Sequence, residues 1–85
     1  MSFLTLVEWE DSAQPSPEWR FLDDPPEPAV IRCRSVGWIA AENQSVLMLV
    51  PNLGNVGAEN EQGCGFIRIP KSAILSRKAL SEGPE

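Results

Sequence analysis

The sequence predicts a small all-β domain: a strongly bent, five-stranded barrel with a long proline-rich first loop. Three observations carry this expectation. Apolar residues alternate with period two, or run continuously for five positions, in short segments separated by Gly, Pro and Asn. No segment sustains an amphipathic helical pattern for more than two turns. The chain has 85 residues, 42% of them apolar and 22% charged, close to the globular average and unlike a wholly disordered chain. That length gives one domain with a modest core, since a chain this size buries roughly 60–65% of its unfolded surface.

The first strand is the run in which Phe3, Thr5, Val7 and Trp9 alternate with Ser2, Leu4, Leu6 and Glu8. Both of its faces are fairly apolar. Residues 11–28 hold Pro15, Pro17, Pro25, Pro26 and Pro28. Proline donates no hydrogen bond and pushes its predecessor out of the helical region, so this stretch is a long irregular loop. Trp19, Phe21 and Leu22 lie in its middle. Large apolar groups are costly in a solvated linker, so they either fold back onto the core as anchors, the simpler expectation, or serve a partner.

Ala29 to Ala41 is the second strand, and Gly37 inside it signals a bulge or a close backbone approach. Residues 42–45 are a polar turn. Val46 to Val50 is continuously apolar, as suits a strand buried on both faces. Pro51 ends it, and residues 51–63, rich in Gly and Asn, read as a broad loop. Gly65 to Ile69 is the fourth strand, stopped by Pro70. Residues 71–73 make one short turn. Ile74 to Leu80 is a fifth strand or a short helix, which periodicity does not decide. The domain spans 1–80, with 11–28 as an acidic proline-rich loop and 81–85 as a flexible tail.

Charge narrows the function. Lys plus Arg is 7, Asp plus Glu is 12, and the net charge is −5. Seven of the acids (Glu8, Glu10, Asp11, Glu18, Asp23, Asp24, Glu27) fall in the first 28 residues, against Arg20. Such a chain is a poor general binder of nucleic acid or anionic membranes, which need a positive field. The sequence contains no His, which removes the commonest general base and metal ligand. Lys71-Ser72 are neighbours that point to opposite faces, and Asp23-Asp24 sit in an irregular loop, so neither makes a catalytic pair. Cys33 and Cys64 are too few for a closed zinc site or a stapled secreted domain. No basic stretch of the kind that opens a signal peptide occurs near the start. The longest strongly apolar run is far short of the ~20 residues that span a bilayer. The expectation is a soluble, non-catalytic intracellular protein with reduced thiols, no cofactor and no metal.

Two sets of residues are candidates for binding. Arg32 and Arg34 project from one strand face with Val30, Val36 and Trp38, and Arg68 on the fourth strand is a candidate to join them. Guanidinium groups beside an indole suit a phosphate and a stacked base. The same arginines also suit cross-strand pairing with Glu8 and Glu10, which is the preferred expectation. The second set is Trp19 and Phe21 as apolar anchors, with Glu8, Glu10 and Asp11 supplying negative charge toward a basic partner.

The hexapeptide Ile69-Pro70-Lys71-Ser72-Ala73-Ile74 resembles the segment that makes a 3₁₀ turn before the last strand of Src-homology-3-like barrels. The strand order fits that type, and an Sm-like barrel gives a similar pattern. Val7-Glu8-Trp9-Glu10-Asp11-Ser12, Arg34-Ser35-Val36-Gly37-Trp38 and Ile67-Arg68-Ile69-Pro70-Lys71-Ser72-Ala73-Ile74 together resemble small accessory proteins of tailed bacteriophages and prophages. Members of that set carry no assigned activity, so no functional residues transfer from them. The resemblance implies a setting: the cytoplasm of an infected bacterial host, where such proteins redirect host factors or disarm immunity. Two functions follow as expectations. One is a counter-defence protein, homo-oligomeric, that sequesters a nucleotide immune signal through Arg32, Arg34, Arg68 and Trp38. The other is an acidic inhibitor or adaptor that blocks a host or immune protein.

Overall fold

A computed structural model describes residues 3–12 and 15–83. Ser2 of the expected first strand lies outside this range, as do Ala13 and Gln14 of the loop and Pro84 and Glu85 of the tail. The elements are β1 (Leu4–Asp11), β2 (Ile31–Glu42), β3 (Val46–Val50), β4 (Asn52–Gly54), β5 (Gln62–Cys64) and β6 (Ile67–Pro70). A 3₁₀ turn (Lys71–Ala73) and β7 (Ile74–Ala79) follow. Five strands form an antiparallel sheet in the order β6-β3-β2-β1-β7, and β4 pairs with β5 alone. The fold is all-β, as the sequence predicts, and Ile74–Ala79 is strand.

The sheet does not close into the expected barrel. Among the described residues β6 and β7 form its two edges without pairing to each other. One 3₁₀ turn carries the chain between these edges, a rise of only about 6 Å over three residues. The sheet is therefore curled until its edges are neighbours at that end. Pro70, which has no N–H, ends β6 where a ladder to β7 would start. Two register shifts, at Glu8/Trp9 against β7 and Ile39/Ala41 against β3, support the curl.

Charge ties the middle strand to the turn and to one edge. Glu42, the last residue of β2, accepts from Lys71 Nζ at 2.6 Å and Arg77 Nη1 at 3.1 Å. One carboxylate thus ties β2 to the 3₁₀ turn and to β7. Its hydrogen bond with Lys71, aided by the charges of Arg77 and Lys71, holds the Glu42 carboxyl below the usual range.

The concave face carries the core. Val7, Leu47, Leu49 and Ile69 are fully buried, with Trp9, Ile39, Ile67 and Ile74 packed against them. Trp9 Nε1 donates to Ser35 Oγ at 3.0 Å, so the buried side of the indole keeps its polar group satisfied. Gly37 also faces inward. A Cβ there would stand 2.9 Å from Val50 O and 3.0 Å from Val50 C, so the close approach expected from the sequence is real. The β2–β3 connection is set by Asn43. Its Oδ1 accepts from the backbone N–H of Ser45 and of Val46, each at 2.8 Å.

Several boundaries and one loop differ from expectation. β1 continues to Asp11 because Glu10 and Asp11 find partners in Arg32 and Ile31. β2 starts at Ile31 rather than Ala29, and β6 starts at Ile67 because Gly65 sits at φ 85°, outside the extended region. Residues 51–63 are not all loop. Asn52–Gly54 and Gln62–Cys64 pair across a turn with Asn55 at φ 54° and Gly57 at φ 88°. Three-residue strands rich in Gly offer no period to read.

The largest difference is the first loop. Trp19, Phe21 and Leu22 do not anchor it on the core: they are 102%, 85% and 97% exposed. Every described residue from 15 to 30 is exposed. The longest dimension is 57 Å, and the Cα radius of gyration is 17.1 Å, whereas a compact chain of this length has about 12 Å. The proline spacing explains this. Five prolines hold the segment extended, and it has no donors for the sheet edge at those positions.

Candidate functional site

The convex face of β1 and β2 carries Arg32 and Arg34 of the expected set. The register sets Arg34 opposite Glu8 and Arg32 opposite Glu10. Arg34 Nη2 lies 3.6 Å from Glu8 Oε1. The acids of β1 thus stand against the arginines of β2, the cross-strand arrangement preferred from the sequence. Arg68 does not join them. It pairs at Met48, which lies opposite Ala41, seven residues along β2 from Arg34 and two strands away. That is roughly 23 Å of strand. Trp38 shares the face, but at the far end, opposite Leu4. The four residues Arg32, Arg34, Trp38 and Arg68 therefore do not converge on one phosphate-sized site.

The second set is also divided. Glu8 and Glu10 belong to the strand pairing. Asp11 stands at the root of the loop, where its Oδ1 accepts the Ser12 N–H at 2.8 Å. Trp19 and Phe21 lie on the projecting loop, here termed the arm. The arm has local order of its own. Asp24 N–H donates to Phe21 O at 3.0 Å, closing a turn over residues 21–24. Arg20 reaches the same residue twice, with Nε donating to Asp24 O at 3.0 Å and Nη2 lying 3.6 Å from Oδ2. The guanidinium folds back on the turn, and Trp19, Phe21 and Leu22 are left facing solvent. Glu18, Asp23 and Glu27 flank them. The arm is thus an acidic segment presenting three large apolar side chains.

A groove of about 1110 Å³ lies at the other end of the sheet. Phe3, Leu4, Trp38, Leu53, Val56 and Leu80 supply much of its lining, and Asn52, Ser81 and Glu82 its polar part. Among the described residues no arginine or lysine lines it, and Glu82 does, so it suits an apolar guest rather than a phosphate. A smaller hollow of about 220 Å³ lies on the other side of Trp38, bounded by Val50, Gly63 and Phe66. Sequence reasoning misses the groove. Its signal is two isolated apolar residues, Leu53 and Val56, in a stretch of Gly and Asn, and they meet Leu4 and Leu80 only through the fold.

Cys33 and Cys64 are free thiols. No helix among the described residues is long and apolar enough to cross a membrane. No family model matches the chain, and neither curated proteins nor solved structures give a match.

Proposed function

We propose that this chain is a non-catalytic protein-binding module whose arm docks into an apolar groove with a basic rim on a partner protein. The observation that carries it is the full exposure of Trp19, Phe21 and Leu22 on a turn clasped by Arg20 and Asp24. Apolar anchors of this size are what binding hot spots are made of, and the local turn reduces the ordering entropy on docking. The flanking acids favour a positive partner and speed encounter. In the setting implied by the sequence resemblance, that partner is a host or immune protein, and binding blocks it. The scaffold reading that accompanies this is of the Src-homology-3-like type. Its support is the strand order, the long first loop and the 3₁₀ turn between β6 and β7.

The test is capture of partners from a bacterial extract by the wild-type chain and by Trp19→Ala/Phe21→Ala. The expected result is one protein retained by the wild type, lost with the double variant and weakened by salt. Native mass spectrometry of the purified chain covers the nucleotide reading. A bound nucleotide that survives the arm substitutions and is lost with Trp38→Ala would replace the arm reading with sequestration.

A further inference from the structure

Trp19, Phe21 and Leu22 account for the tip of the arm but not for its return limb. That limb is Asp24-Pro25-Pro26-Glu27-Pro28, and it is exposed throughout. Each proline fixes its own φ at about −65°, and each residue before a proline is pushed to extended backbone. Asp24, Pro25 and Glu27 all precede a proline. The limb is therefore held in extended, polyproline II-like backbone by its own covalent structure.

Hydrogen bonds mark its two ends. Asp24 N–H donates to Phe21 O at 3.0 Å, and Asp24 O accepts from Arg20 Nε at 3.0 Å, so the turn stops where the prolines start. At the other end Ala29 N–H donates to Glu27 O at 2.9 Å, a γ-turn centred on Pro28. Between them the carbonyls of Pro25 and Pro26 have no partner among the described residues. The limb thus offers free acceptors, no donors at its prolines and a preset shape.

A polyproline II helix has three residues per turn, so Pro25 and Pro28 share one edge of the limb, roughly 9 Å apart. Asp24 and Glu27 stand immediately before them, and Pro26 lies on another edge. Two such pairs, each a residue followed by proline, make the ridge that fits a groove lined by aromatic rings. We infer that the return limb is a second docking element, and that the partner of the arm reads it as polyproline II in an aromatic-lined groove. This rests on the reading of the arm as a docking element and names the kind of surface it meets. The tip and the limb are contiguous, so one partner covers both.

Three features select this occupant. Pro25, Pro26 and Pro28 donate nothing to a ladder, so the open edge of another sheet is the wrong receptor. The acids Asp24 and Glu27 lie within the two pairs, and residues 21–30 contain no lysine or arginine. The groove is therefore flanked by basic side chains, the sign that the tip also calls for. The same charge repels an anionic membrane or a nucleic acid. The limb is already ordered before docking, so little conformational freedom is lost when it binds.

The probes are purified WW and Src-homology-3 domains, a panel that includes members with lysine or arginine beside the aromatic groove. Each is titrated with the full-length chain, and binding is read from the resonances of the groove. Four proteins are compared: wild type, Pro25→Ala/Pro28→Ala, Pro26→Ala and Trp19→Ala/Phe21→Ala. Every substituted residue is exposed, so the fold is retained, which circular dichroism verifies. The expected result is wild-type binding in the groove of basic-rimmed members, weakened by salt. Pro25→Ala/Pro28→Ala raises the dissociation constant at least roughly 10-fold, and Pro26→Ala less than roughly 3-fold. A panel with no member bound through its groove overturns the inference. So does binding that is indifferent to Pro25→Ala/Pro28→Ala, or that Pro26→Ala weakens as much as the pair does. Capture from extract that is lost with Trp19→Ala/Phe21→Ala but unchanged by Pro25→Ala/Pro28→Ala sinks this inference alone. Groove binding that needs the proline pair, with no extract protein dependent on Trp19 and Phe21, sinks the reading under Proposed function alone.

Discussion

Gly37 and Glu42 show how much of this fold rests on single residues. The space for a side chain at Gly37 is occupied by the backbone of Val50, which cannot swing aside as a side-chain tip would. Gly37→Ala should therefore destabilise by roughly 1–3 kcal/mol, the cost of overpacking a core, as read from urea denaturation. Glu42 is different, since its role is set by charge. Its carboxyl titrates below the usual range because Lys71 and Arg77 hold the ionised form. A group whose pKa is lower in the folded state adds stability that is present above its unfolded pKa, about 4.3 for Glu. That stability is lost as pH falls through the folded value. The melting temperature of the wild type should thus drop on acidification below pH ~4.3 more steeply than that of Glu42→Gln. The gap between the two proteins should be widest near neutrality and shrink in acid. Parallel curves would show that the clasp contributes nothing.

At the scale of elements, the strands and turns divide by how local their causes are. Asn43 satisfies two backbone N–H groups by itself. Asn43→Ala should cost about 1–2 kcal/mol by loosening the β2–β3 hairpin, measurable by thermal melting and by faster amide exchange at Val46. Arg34→Ala should cost under about 1 kcal/mol, since its pair with Glu8 is long and the side chain is mostly in water. What the sequence made legible follows the same division. The strands β1, β2, β3 and β6, the polar turn at 42–45 and the 3₁₀ turn have causes within a few residues, in alternation, polar turn residues and Pro70, whereas periodicity does not decide between strand and helix for β7. The opposition of Glu8 and Glu10 to Arg34 and Arg32 followed from assuming that β1 and β2 are antiparallel neighbours. The groove, the β4–β5 pair and the open edge were not legible. Each depends on which segments meet after the sheet curls, and no residue alone records that.

The whole molecule is a small curled sheet with an extended arm, and its dimensions make that testable. Small-angle scattering at dilutions where the chain is monomeric should give a radius of gyration near the 17.1 Å of the structure, rather than the ~12 Å of a compact chain. A value near 12 Å would mean that the arm lies on the sheet after all. Under the same dilute conditions Trp19→Ala/Phe21→Ala should leave unfolding free energy within about 0.5 kcal/mol of wild type, because those side chains touch no part of the core. The sequence favoured anchoring for these residues on the ground that large apolar groups avoid water. The structure sets a competing fact beside that rule: five prolines within fourteen residues (15–28) resist the bend that burial needs.

The arm is inserted between β1 and β2, two inner strands of the sheet. Those strands pair from Asp11↔Ile31 onward. Closing a longer loop adds only about 0.6 kcal/mol for each doubling of its length. The reach of the molecule is therefore nearly independent of its stability. Insertions or replacements within 15–28 can change what the arm meets, and how far away, while the sheet keeps its register. A lineage carrying this chain has a segment on which variation is cheap and a scaffold on which, at Gly37 or Asn43, it is not.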